Sequence, residues 1–177
     1  GSGYDYLTRQ VAVQDTTGVE GVLPMEAEWV ADQARCVLED MPVDAFKIGA
    51  LGSVENIAAV AEILADYPDV PLILDPVPSI GRRDAHATEA MTQALRDLLL
   101  PQTTIATPNG HELRLLAETE DDEEPSVAEC AERLVSAGCE FVLVTGTHEG
   151  AREIVNTLYG KGGVVRTDTW ARLPGPF

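Results

Sequence analysis

Apolar positions along this chain follow two alternating rhythms. Short apolar runs occupy residues 9–14, 19–23, 43–48, 70–74, 104–106 and 141–144, lengths that suit strands. Between them, apolar residues recur at helical spacing. Trp29, Val30, Ala34, Val37 and Leu38 share a face in 24–40, and Val54, Ile57, Ala61 and Leu64 do so after Ser53. Further helical stretches are expected over 88–100, after Asn109 through Leu113, Leu115 and Leu116, and over 126–137. The run 70–74 is almost wholly apolar, as a strand covered on both faces requires. Strand and helix alternating at this spacing predict right-handed βαβ crossovers and a mostly parallel central sheet with helices on both faces. Residues 154–159 and 164–170, joined by Gly160-Lys161-Gly162-Gly163, read as a β-hairpin that extends one edge.

The punctuation agrees with this division. Asp15-Thr16-Thr17-Gly18 is a turn signal, Pro24 opens a helix and Tyr67-Pro68-Asp69 ends one. Ser53 reads as an N-cap, and Ser126 with Glu129 as a capping box whose helix ends before Gly138. Residues 1–6 carry no pattern, and Gly1-Ser2-Gly3 reads as a tag remnant. Residues 7–177 are expected to form one domain.

Composition narrows the function classes. The net charge is -18, from 30 acidic and 12 basic residues, so nucleic acid is an unsuitable partner. The acidic run 118–124 reads as a solvated loop. No apolar run approaches the roughly 20 residues that span a bilayer, and the first residues lack the basic start and apolar segment of a leader. Cys36, Cys130 and Cys139 are scattered, which suits reduced thiols and a cytoplasmic location better than a disulfide frame or zinc site.

In a parallel sheet the chemistry lies where strands end. Four turns qualify: Gly49 to Leu51, Asp75 to Val77, Asn109 to Glu112 and Thr145 to Thr147. In Thr107-Pro108-Asn109-Gly110-His111-Glu112, Asn109 and Glu112 can form a capping box and nothing more. Alternatively, the helix N-terminus faces a phosphate and Glu112 shares a hydrated Mg²⁺ with Asp75. Asp75 before Pro76 is equally readable as a turn-initiating residue. Thr145-Gly146 offers a hydroxyl and a close backbone approach. No Walker A or G-x-G-x-x-G pattern is present, which argues against P-loop and dinucleotide-binding folds. His86, His111 and His148 lack metal-ligand spacing and read as solvent-facing. Trp29 and Trp170 read as core or edge packing.

Taken together, several segments resemble the ribokinase-like small-molecule kinases, most closely the hydroxymethylpyrimidine/phosphomethylpyrimidine kinases of thiamine biosynthesis. They are Val11-Ala12-Val13-Gln14-Asp15-Thr16-Thr17-Gly18-Val19, Val43 through Leu51, Leu74-Asp75-Pro76-Val77, Leu99-Leu100-Pro101, Thr107-Pro108-Asn109-x-x-Glu112 and Val142-Leu143-Val144-Thr145-Gly146. The resemblance implies an ATP-dependent transfer to an aminopyrimidine alcohol and then to its monophosphate. It implies that Gln14 bonds the aminopyrimidine, with Val77 and the Gly49-Ala50 backbone lining the pocket. Asp75 and Glu112 would lie near Mg²⁺, with Asn109 beside them, and Thr145, Gly146 and Thr147 in the nucleotide site. A homodimer is compatible with it, and a membrane or nucleic-acid partner is not implied.

The resemblance also carries departures. The family's glycine-rich first strand has no match in residues 1–6, and its later Gly-[ST]-Gly-Cys turn, which supplies an anion hole and the proposed base, is absent. Ala50 and Pro78 stand where Met is common. The 177 residues are therefore expected to be part of a longer enzyme, to hold no catalytic base, and not to catalyse transfer alone. Two other readings stand beside the leading one: a pyridoxal or pyridoxine kinase of the same fold, and a non-catalytic ligand-binding module that keeps the pocket. Gln14 favours the pyrimidine reading over pyridoxal.

Overall fold

The structure, a computed structural model, describes residues 9–15, 18–77, 85–118, 125–146 and 153–171, with side-chain surroundings given from Leu23 onward except at 85–87. Strands β1 (Arg9–Asp15) and β2 (Gly18–Pro24) pair antiparallel as a separate two-stranded sheet. The main sheet has six strands: β3 (Phe46–Ile48), β4 (Leu72–Leu74), β5 (Ile105–Ala106), β6 (Phe141–Val144), β7 (Glu153–Gly160) and β8 (Gly163–Ala171). They lie side by side in chain order. The first four are parallel, and β7 and β8 add the expected antiparallel hairpin.

Five α-helices are described: α1 (Ala27–Asp40), α2 (Val54–Ala65), α3 (Ala85–Ala94), α4 (Gly110–Leu116) and α5 (Val127–Ser136). The core forms where helices α2 to α5 meet the sheet. Leu72, Leu74, Ala106, Val142 and Val144 are essentially inaccessible there and pack with Ile57, Leu64, Leu95, Leu113 and Leu134. Burying such side chains stabilises the fold by about 1.5–3 kcal/mol each before entropy is counted. Ile57, Ala61 and Leu64 are buried, as the helical spacing predicts.

Three expectations need correction. The first helix starts at Ala27, because Pro24 still belongs to β2 and pairs with Arg9. The stretch read as one helix over 88–100 changes pitch: a π-helical turn, Leu95–Leu99, follows α3 and a 3-10 turn, Leu100–Gln102, follows that. The wide turn, marked by the Leu100 N–H donating to the Leu95 carbonyl, lets Leu95, Leu99 and Leu100 all face the core before Pro101 ends the helix. Finally, Trp29 is not a core residue, whereas Trp170 takes the edge position that was its alternative. Trp29 is 62% exposed on α1, and Trp170 is 52% exposed on the edge strand β8.

Turn and cap residues act as their chemistry requires. Ser53 accepts from the Asn56 N–H, and both capping boxes form. Gly138 follows α5 at φ +116°, and a Cβ there would lie 3.0 Å from Pro101 Cα, so the site admits only glycine without strain. Cys36 is exposed, Cys130 and Cys139 are buried, and all three are free thiols. Among the described residues no helix is long and apolar enough to cross a membrane.

Candidate active site

The four parallel strands bring their following turns to one rim. Gly49 and Ala50 follow β3, Asp75 follows β4, Thr107 follows β5 and Thr145 follows β6. Backbone bonds carry the ladder past the strand ends and hold these turns level. The Asp75 N–H donates to the Ile48 carbonyl at 2.7 Å, and the Thr107 N–H donates to Leu74 at 2.8 Å. Asn109 and Thr145 form an isolated parallel bridge, with the Thr145 N–H donating to Pro108 at 3.0 Å. Val77 joins the same rim through a tight turn in which its N–H donates to the Asp75 carbonyl at 3.0 Å.

Asn109 and Glu112 fulfil the structural reading in full. Asn109 Oδ1 accepts from the N–H groups of His111 and Glu112 at 2.9 Å each, and Glu112 Oε2 accepts from the Asn109 N–H at 2.8 Å. The capping box does not use up the carboxylate, because both Glu112 oxygens have several lone pairs. Burial pushes the Glu112 carboxyl above its usual range, the bond from Asn109 opposes this, and the negative charge of Asp75 adds to the upward push. Asp75 and Glu112, from turns after different strands, thus lie close enough to feel each other.

A residue the sequence reading passed over completes this cluster. Lys47 Nζ lies 3.5 Å from Asp75 Oδ2, with both side chains substantially exposed. Its signal was a lysine inside an otherwise apolar strand, and the structure sets it in register with Ile73, two residues before Asp75. At the β6 end, Gly146 adopts φ +66°, and its N–H donates to Asn156 Oδ1 at 3.0 Å, which fixes the turn against β7. Asn156 was also missed, since an asparagine within a hairpin strand carries no local mark of function.

The remaining expected residues divide. Gln14 lies in β1 with its backbone paired to Val19, but its side chain lies outside the described residues. Thr147 and the side chains of His86 and His148 lie outside them as well. His111 is exposed on α4. A separate open cleft of about 370 Å³ lies at the opposite end of the strands, between Tyr67, Val70, Gln102, Thr104 and Glu140. Its polar side chains serve the fold: Thr104 Oγ1 accepts from the Leu72 N–H, and Gln102 donates to the Ala61 and Leu98 carbonyls. The candidate site is at the other rim.

The donor set at Asp75 and Glu112 would fit a hard divalent cation that brings most of its own ligands. Among the described residues no group of three or more His, Cys, Asp or Glu side chains could cage an ion. Two mutually repelling carboxylates suit Mg²⁺, which keeps several waters and takes its other ligands from phosphates.

A parallel sheet with acidic, amide and hydroxyl groups on its carboxyl rim and an antiparallel hairpin at its edge is the architecture of the ribokinase-like kinases. Solved structures of that class superpose on this chain. Phosphomethylpyrimidine kinase from Clostridium difficile 630 gives a TM-score of 0.73 at 26% identity, covering 96% of this chain and 71% of that one. An ADP complex of Bacillus subtilis pyridoxal kinase gives 0.78 over 97% of this chain and 65% of that one, a likeness of fold alone at 23% identity. The family model described as phosphomethylpyrimidine kinase matches residues 3–176, and the chain belongs to that family. Hydroxymethylpyrimidine/phosphomethylpyrimidine kinases from Streptomyces coelicolor and Mycobacterium leprae are 35% and 37% identical, over 82% and 85% of this chain. The chain spans about half the length of these curated relatives, 54% of each.

Proposed function

We propose that the protein to which this chain belongs phosphorylates hydroxymethylpyrimidine and then its monophosphate, using ATP, in thiamine biosynthesis. The observation that carries this reading is the convergence of Asp75, the Asn109–Glu112 cap and the Thr145-Gly146 turn on one rim, from three separate stretches of sequence. The names of the similar proteins favour the pyrimidine acceptor.

In this reading the acceptor ring packs on the Gly49-Ala50 backbone and Val77, with Gln14 bonding its amino group. Asn109, Thr145, Gly146 and Thr147 hold the nucleotide. Asp75 and Glu112 hold Mg²⁺, which when bound neutralises developing phosphate charge. The protein's own contribution is positioning. Asn109 keeps its amide oriented through the two cap bonds, Glu112 is fixed by the same box, and the Gly146 turn is tied to Asn156. Such preorganisation is what transfer of a phosphoryl group chiefly asks of a protein. No residue of this chain is assigned as the proton-accepting base, residues 7–177 act as one domain, and the enzyme works in the cytoplasm.

The test is ADP release by the full-length gene product with Mg²⁺-ATP and either hydroxymethylpyrimidine or pyridoxal. Turnover with the pyrimidine supports the reading. Turnover with pyridoxal alone replaces it with a pyridoxal kinase, and binding of either compound without ADP release identifies a non-catalytic module.

A further inference from the structure

Asn56 is completely buried in the first turn of α2, beside Ile57, Ala61 and Leu64. A primary amide is a costly way to fill apolar space, since its polar atoms lose water unless they are bonded. What it adds over an aliphatic side chain is direction. Its Nδ2 donates to the Leu51 carbonyl at 2.9 Å, while its backbone N–H donates to Ser53 Oγ at 3.2 Å. The side chain thus reaches back past the helix N-cap to grip the turn that leaves β3.

That turn is Gly49-Ala50-Leu51-Gly52, and its course is set at three places. The Ile48 carbonyl is held by the Asp75 N–H at 2.7 Å, Gly52 reverses the chain at φ +85°, and Asn56 anchors Leu51 between them. Leu51 is 4% exposed, so its side chain points into the core while its carbonyl is drawn toward α2. Residues 49 and 50 are Gly and Ala, with little side chain to shape a pocket. A ligand meeting this stretch meets backbone, and its fit depends on where that backbone sits.

We propose that Asn56 is a positioning residue for the acceptor pocket: through its bond to the Leu51 carbonyl it fixes the Gly49-Ala50 backbone against which the acceptor ring packs. This rests on the reading of the site as a pyrimidine-alcohol kinase. It makes Asn56 a determinant of acceptor affinity although it does not touch the acceptor. The nucleotide end, at Asn109 and Thr145, lies beyond β4 in the sheet and is held by its own bonds.

The test compares the full-length protein with Asn56→Leu, which keeps the branched shape at a somewhat larger volume and loses the bond, and Asn56→Ser, which stays polar but is too short to reach Leu51. Both variants are expected to raise the KM for hydroxymethylpyrimidine by between about fivefold and a hundredfold, a span set by small misplacements. The KM for ATP stays within about twofold, because distant, independently bonded sites act nearly additively. Amide exchange is expected to quicken in residues 49–53 and to stay unchanged in α5. An unchanged acceptor KM, or equal losses for acceptor and ATP, overturns the proposal. If the wild-type protein does not use the pyrimidine, the functional reading fails by itself. The exchange data then still decide whether Asn56 holds the turn, and unchanged exchange in 49–53 refutes that too.

Discussion

Lys47 and Asp75 face each other across adjacent strands, Nζ to Oδ2 at 3.5 Å. Both are well exposed, so the pair itself adds little stability. Its effect is on the field at the rim. Asp75 also raises the proton affinity of Glu112, so the ammonium of Lys47 offsets part of the negative charge that the two carboxylates concentrate.

The proposed function gives Glu112 a second duty beside its capping role, and two substitutions separate them. A glutamine can still accept from the Asn109 N–H, so Glu112→Gln is expected to cost under about 0.5 kcal/mol of stability. Glu112→Ala loses the box and is expected to cost about 0.5–2 kcal/mol. Both variants should lower kcat/KM of the full-length enzyme by at least about tenfold, since neither keeps the charge. Urea unfolding and ADP release measure the two effects side by side. Full activity in Glu112→Gln would reduce Glu112 to a helix cap.

Acidity provides a second check on the same carboxyl. Glu112 holds its proton to higher pH in the folded chain than its ordinary 4.5, chiefly because it is buried. The folded state then binds that proton more tightly than the unfolded state does. The contribution of this group is most favourable below 4.5 and is lost as pH rises through the raised value. Urea midpoints of Glu112→Gln should therefore gain on the wild type as pH climbs from about 4 to about 7 without divalent ions. A constant difference would show that Glu112 titrates alike in both states.

The three thiols should differ sharply in reactivity. Cys139 is pushed up to about 11 by burial, with its thiol donating to the Phe141 carbonyl at 3.0 Å. Burial also raises Cys130, whereas Cys36 is exposed on α1. Brief treatment with iodoacetamide at about pH 7.5, followed by peptide mass mapping, should modify Cys36 and spare the other two. Rapid labelling of Cys139 in the native protein would contradict its placement beneath β6.

Gly138 supplies a purely structural prediction. Gly138→Ala forces a Cβ against the Pro101 backbone at 3.0 Å and into a φ of +116° that side chains rarely adopt. The expected cost is about 1–3 kcal/mol, visible as a lowered urea midpoint, with kcat/KM per folded molecule unchanged. Wild-type stability in this variant would mean the segment after α5 takes another path.

Much of the fold could be read from the sequence because its signals are local. The apolar runs marked the strands, and Ser53, Asn109 and Ser126 marked helix starts that the cap bonds bear out. Strand length was overestimated where only the last residues of a run join the ladder, as at β3 and β4. The pitch change at Leu95 was not legible, since a run such as Leu98-Leu99-Leu100 suits either an α- or a π-turn until the core it faces is known. The rim residues Asp75, Glu112 and Thr145 were legible because parallel strands bring successive turns together. Lys47, Asn56 and Asn156 were not, because each acts through a partner on another element or another turn, and nothing beside them in sequence names that partner.

The clasp between Gly146 and Asn156 ties the turn after β6 to a hairpin that otherwise looks peripheral. On the proposed function, changes in that hairpin, whether a strand slipping in register or a longer connection before it, reach the nucleotide end without altering any residue there. In a kinase of the proposed kind, hairpin length then gives evolution a way to retune how the protein grips its phosphate donor while leaving the grip itself untouched.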